Sequence, residues 1–217
     1  MFPRILSIRR ALKWLLPAAA VFIVTTCPVF LNPVFPNPLA AQFMAKQVNL
    51  TYLARRADVI VQGTVKEVVH ESLPGYKNIS TTKVTLNIEN TVRGPEGKTY
   101  TFREIDLGLQ SKSKKSHYAV GQHLLLFLRS PSKYGLSSPI GLEQGRFHIV
   151  RNAGGNWMAV NENNNAGLFL NVLQDVREER LRLTANQMRV ASSREGPVRL
   201  DDFVSLVKKL SSLSRIQ

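Results

Sequence analysis

Cysteine is almost absent. Cys27 is the only one in 217 residues, and it lies within the first 41. Residues 42–217 have none, which excludes intramolecular disulfides, cysteine-ligated zinc and thiol catalysis there. That part of the chain must be held by its hydrophobic core alone, and it is long enough to bury one. Acidic residues are also scarce, with none before Asp58. Local catalytic signatures are missing too. There is no HExxH, no Gly-x-Ser-x-Gly elbow and no phosphate-cradling glycine loop ahead of a helix. His70, His117, His123 and His148 stand at no close metal-ligand spacing. By alternation along its strand, His148 is expected to face solvent. The expectation is a non-enzymatic protein with no metal and no cofactor, since catalysis would require residues gathered from distant positions.

The first 41 residues are informative about destination. Arg4, Arg9, Arg10 and Lys13 precede an apolar run from Trp14 to Leu31, interrupted by Pro17, Thr25, Thr26, Cys27 and Pro28. A positive flank followed by an uncharged apolar core is what the export machinery reads. The run of about 18 residues exceeds an ordinary signal core and only just reaches spanning length. Pro33, Pro36 and Pro38 follow it and stop any helix. Residues 1–41 are therefore expected to be a signal peptide cleaved near Ala41, with an uncleaved signal anchor through residues 14–31 as the alternative. Val24–Cys27 resembles a lipoprotein box and Arg9–Arg10 a twin-arginine signal, both as minor readings. The expected location is exported, either periplasmic or secreted, or else membrane-anchored.

The chain carries 29 basic and 15 acidic residues, and four of the basic ones fall in the targeting segment. What remains is 25 against 15, a net charge of +10. Such a surface attracts polyanions. For an exported protein these are anionic lipids or acidic surface polymers, and nucleic acid is not expected.

Residues 42–173 read as a β domain. Asn49 is a candidate N-cap for a short helix in which Leu50, Leu53, Ala54 and Ala57 share one face. Val59, Val61, Gly63 and Val65 then alternate along a strand, with Gly63 at a point of bend, bulge or close backbone approach. Thr82, Val84, Leu86, Ile88 and Val92 form the apolar face of the next strand, whose register a one-residue slip would invert. After a turn at Arg93–Lys98, residues 99–103 read as a strand with Tyr100 and Phe102 on one side. His123–Leu128 is apolar throughout, which implies burial on both faces. Phe147 and Ile149 point inward from a strand that turns at Asn152–Asn156 into Trp157–Val160. Residues 161–165 read as a polar loop and 167–172 as a short strand.

Residues 104–119 read as a long polar loop whose centre holds Lys112, Lys114, Lys115 and His117. Like-charged runs commonly only face water, yet long loops in compact domains also carry function. These four residues are the candidate contacts for a polyanion or protein partner. Residues 174–217 read as a charged linker, partly helical at best over 175–199, followed by a terminal amphipathic helix. Phe203, Val204, Val207 and Leu210 form its stripe, with acids first and lysines later, as the helix dipole favours. Packing on the β domain is expected, and a membrane surface is the alternative.

The segments Ala57–Val65, Val92-Arg93-Gly94, Val120–Leu128 and Gly141–Phe147 resemble uncharacterised exported bacterial proteins. The order of elements also resembles the netrin-like barrel of tissue inhibitors of metalloproteinases. The resemblance, over about residues 48–150, implies a mainly β fold with flanking helices: an OB-like five- to six-stranded barrel between an N-terminal targeting helix and the C-terminal amphipathic helix. Those inhibitors chelate the protease zinc through an amino-terminal cysteine, which residues 42–217 do not contain. The expected function is an exported binding or interaction module for a protein or an anionic surface polymer. A protease-inhibitor-like role is the alternative, and an enzyme is a third class.

Overall fold

The computed structural model describes residues 46–106 and 117–213. The targeting segment 1–41 and Lys112, Lys114 and Lys115 lie outside the described residues.

Helix α1 (Leu50–Arg56) starts where the Asn49 side chain accepts a hydrogen bond from the Tyr52 N–H at 2.9 Å, the expected N-cap. Among the described residues seven strands follow: β1 (Val59–Leu73), β2 (Tyr76–Arg93), β3 (Thr99–Ile105), β4 (His123–Leu128), β5 (Arg146–Arg151), β6 (Trp157–Asn161) and β7 (Val198–Arg199). A short 3-10 turn, Leu142–Gly145, leads into β5. Helices α2 (Val172–Glu178) and α3 (Ala185–Ala191) lie between β6 and β7, and α4 (Leu200–Ser211) follows β7.

The strands form one antiparallel sheet in the order β3-β2-β1-β4-β5-β6-β7. Alternation decides which side chains go to which face. Leu125, Phe127, Phe147, Ile149 and Ala159 join Ile60 under the four helices. Leu124, Leu126 and Leu128 point the other way, onto Val59, Val61, Val65, Val84, Leu86, Tyr100 and Phe102. β4 is thus buried on both faces, as its unbroken apolar run implies. Among the described residues no helix belongs to the second cluster, and Tyr118 is its one buried member outside the strands. The β1–β4 part of the sheet therefore curls over its own face, aided by the register shifts along the β1–β2 pair.

The sheet is not closed into the five- to six-stranded barrel the sequence suggests. Among the described residues, the outer edge of β3 meets the connection after β4, through an Arg103–Leu136 bridge and the Ser137 N–H on the Arg103 carbonyl at 2.7 Å. β5 and β6 are held away from β3 because their apolar residues cover the helices. One further expectation changes: residues 167–171 are turns and Val172 begins α2, in place of a short strand. The charged segment 175–199 is partly helical, as read from the sequence, and holds the end of α2 and all of α3, which opens on a capping box between Thr184 and Gln187. The terminal helix packs on the sheet: Phe203 is fully buried, with its ring centroid 5.0 Å from that of Phe147. Among the described residues no helix is long and apolar enough to cross a membrane.

Candidate functional site

The β3–β4 connection leaves the sheet at Asp106, whose N–H donates to the Ser80 carbonyl at 3.0 Å. At its far end Gly121 rejoins β1 through its N–H on the Val65 carbonyl at 2.8 Å. The returning end is anchored in a cluster of ionisable side chains. β3 supplies Glu104, the 3-10 turn supplies Glu143, β5 supplies Arg146 and His148, and the turn after β6 supplies Glu162.

Arg146 is the centre. It is only 3% exposed. Its Nη2 donates to the Glu143 carboxylate and to Glu162 Oε1 at 3.5 Å, and lies 3.4 Å from His117 Nδ1. Its guanidinium carbon stands 5.1 Å from the centroid of the Tyr118 ring, a cation–π contact. Tyr118, itself buried, packs edge-on against Phe102 and donates its hydroxyl to Glu104 Oε2 at 2.9 Å. Two histidines complete the ring: His117 Nδ1 is 3.3 Å from Glu143 Oε1, and His148 Nε2 is 2.7 Å from Glu162 Oε1. His148 is therefore paired with a carboxylate rather than simply solvated.

The electrostatics follow from burial and pairing. Burial pushes the Glu104 carboxyl above its ordinary range, against the opposing pull of the Tyr118 hydroxyl and Arg146. Burial and the neighbouring Glu104 push the Tyr118 phenol well above its usual value. The His148 hydrogen bond, with help from Arg146, holds Glu162 low. Burial opposes the charge on Arg146, but Tyr118, Glu143 and Glu162 outweigh it and the guanidinium is held more firmly protonated. Such a network rigidifies the segment that supplies its members. Its mechanical effect is to fix His117 and Tyr118, and so the root of the lysine-bearing segment, to the sheet.

Of the four sequence candidates, His117 lies among the described residues and belongs to this cluster, and His148 joins it from outside the candidate set. Arg146, Glu104, Tyr118, Glu143 and Glu162 carried no individual signal. A second polar group lies on the helix-side face, where Glu89 accepts from Thr64 Oγ1 at 2.7 Å and meets His123 Nε2 at 2.5 Å. Trp157, 41% exposed, abuts His123 edge-on there and carries the Arg151 guanidinium at 4.4 Å. Among the described residues no group of three or more histidine, cysteine or acidic side chains is placed to hold a metal ion. No protein-family model, curated protein or solved structure matches the chain.

Proposed function

We propose that this protein is an exported, non-enzymatic binding module whose contact segment is the lysine-bearing connection between β3 and β4. The observation that carries this reading is the anchoring of both ends of that connection, Asp106 to Ser80 and His117–Tyr118 in the Arg146 cluster. A basic segment fixed at both ends loses less freedom on binding than a free tail, and preorganisation of this kind raises affinity. Lys112, Lys114 and Lys115 supply charge for an anionic surface polymer or an acidic protein face, and the net charge of +10 over residues 42–217 acts in the same direction.

The test is co-sedimentation of the full-length protein with vesicles of phosphatidylglycerol and phosphatidylcholine, and in parallel its retention on dextran sulfate. Binding of the wild type should weaken as salt shortens the Debye length to about 10 Å at 0.1 M. Replacing Lys112, Lys114 and Lys115 by Gln should remove most of that binding at low salt. Equal binding by the triple variant and the wild type would overturn the reading.

A further inference from the structure

Where β3 fails to close onto the rest of the sheet, a seam runs between its end and the connection after β4. The seam holds a cleft of about 330 Å³, open to solvent. That volume is at the lower end of the roughly 300–1,000 Å³ of small-ligand sites. Its walls combine two chemistries. Ile105, Leu136 and Leu142 give apolar surface, and Ser130, Ser132, Ser137 and Ser138 give hydroxyls. Glu104 and Arg129 complete the lining.

The hydrogen-bonding state of these groups narrows the ligand. Ser137 donates its hydroxyl to the Arg129 carbonyl at 2.7 Å and keeps its accepting capacity. Ser132 Oγ accepts from the N–H groups of Tyr134 and Leu136, at 3.3 and 3.2 Å, and keeps its proton for another acceptor. Among the described residues, no side-chain partner is present for the hydroxyls of Ser130 and Ser138, or for Glu104 Oε1, since Tyr118 engages Oε2. The open valences are thus two hydroxyls that can both donate and accept (Ser130 and Ser138), one left to accept (Ser137), one left to donate (Ser132) and one carboxyl oxygen, set around short apolar surfaces. Groups that both donate and accept match ligand hydroxyls, and the apolar walls match the C–H faces of a ring. The Arg129 charge in the lining is shared with Asp58 at 3.9 Å and opposed by Glu104, so the cleft offers a strong anion no net cation. Tyr134, on the Ser132–Leu136 turn, adds an exposed aromatic that meets Tyr76 edge-on at 5.8 Å.

We propose that the seam cleft binds a neutral sugar, one pyranose unit in size, with Glu104 Oε1 and the serine hydroxyls taking its hydroxyl groups. The site goes beyond the lysine-segment reading, because no cleft residue is one of those lysines and the two rest on different forces.

The experiment is a titration of the ¹⁵N-labelled full-length protein with glucose, N-acetylglucosamine and chitotetraose, followed by amide shifts. At least one sugar should give saturable shifts at Ile105, Ser130 and Ser138, with a Kd on the order of 1 mM for a monosaccharide. Ser138→Leu, which fills the cleft, and Glu104→Gln, which keeps an acceptor for Tyr118, should each weaken binding by about tenfold. Their melting curves establish that they are folded. Tighter binding of the tetramer than of N-acetylglucosamine would identify a polymer as the source, and equal binding a free sugar. Absence of saturable shifts with all three sugars overturns the proposal, as do shifts unchanged in folded Ser138→Leu. Because the probes are uncharged, the lysine triple variant should bind them as the wild type does, so failure of one reading leaves the other standing.

Discussion

Arg146 shares one buried position with three kinds of partner: the carboxylates of Glu143 and Glu162, the ring of Tyr118 and the imidazole of His117. Replacing it by Met leaves the carboxylates without their cation and the Tyr118 face without its cover. Breaking a buried pair costs about 3–5 kcal/mol. Glu143 and Glu162 are a third or more exposed and can rehydrate, so about 3 kcal/mol is expected here, read as a lower urea midpoint. Arg146→Lys should recover only part, because an ammonium lacks the planar fork. Glu104 gives a pH-dependent prediction at the same scale. Its folded carboxyl holds its proton more tightly than an unfolded one, whose pKa is about 4.3. Between that value and the raised folded value, its contribution to stability is therefore lost as pH rises. Glu162 has the opposite sign. Its pKa is lowered, so its contribution is present above the ordinary value and lost as pH falls through the lowered one. Glu104→Gln abolishes the first effect alone. The stability difference, variant minus wild type, should rise from about pH 4 to about pH 7 in urea titrations. A flat difference would show that Glu104 is not desolvated.

At the scale of elements, Gly63 lies where the β2 backbone leaves no room for a side chain. A Cβ there would stand 2.1 Å from the carbonyl oxygen of Asn87 on β2, next to one of the register shifts of the β1–β2 pair. Gly63→Ala must push the two longest strands apart. The expected cost is about 1–3 kcal/mol or more, with faster amide exchange at Val65 and Leu86 than in the wild type. Gly155→Ala is the matched control. It has room for a Cβ but a φ of +77°, so it should cost only about 1 kcal/mol and leave exchange in β1–β2 unchanged. The need for glycine at 63 was readable because Gly63 interrupts a β-branched alternation. The strand faces of β1 and β5, that of β2 as far as Ile88, and the two-sided burial of β4 were readable for the same reason, since local periodicity reports local burial. Val92, expected on the face of Val84 and Leu86, packs instead against the helix-side cluster, beyond a register shift of the β1–β2 pair. What was missed depends on other signals. α3 is two turns long with a weak stripe, and its real marker is the Thr184–Gln187 capping box in a segment dominated by charge. The turn over 161–165 looks like a polar loop but is a staple, with Asn165 buried and donating to the Ala159 and Gly196 carbonyls. The Arg146 cluster is assembled from four separate pieces of chain, Glu104, His117–Tyr118, Glu143–His148 and Glu162, so no window of sequence contains it. Whether a sheet closes is likewise decided by β3 and β5, which no local pattern relates.

For the whole molecule, the question is whether the late helices are additions to a β domain or part of its core. Phe203 answers it through its neighbours, with Phe147 of the sheet at 5.0 Å and Phe169 of the turn region at 6.4 Å between ring centroids. Arg93, at the end of β2, joins the first helix to the last. It donates to the carbonyls of Ala54 and Ala57 at 2.8 and 2.6 Å and also to that of Ser211. α1, the sheet and α4 therefore share one apolar cluster and one polar latch, and none can leave without exposing the others. Phe203→Ala should cost about 3–5 kcal/mol. The effect must appear everywhere at once. In a Trp14→Phe background, which leaves Trp157 as the single tryptophan, its fluorescence and far-UV circular dichroism, which reports the helices, should lose the same amount and keep a common midpoint, as a single cooperative unit requires. A variant in which the helical signal melts early while the tryptophan signal stays at its wild-type midpoint would instead make α4 a detachable element on a self-sufficient sheet.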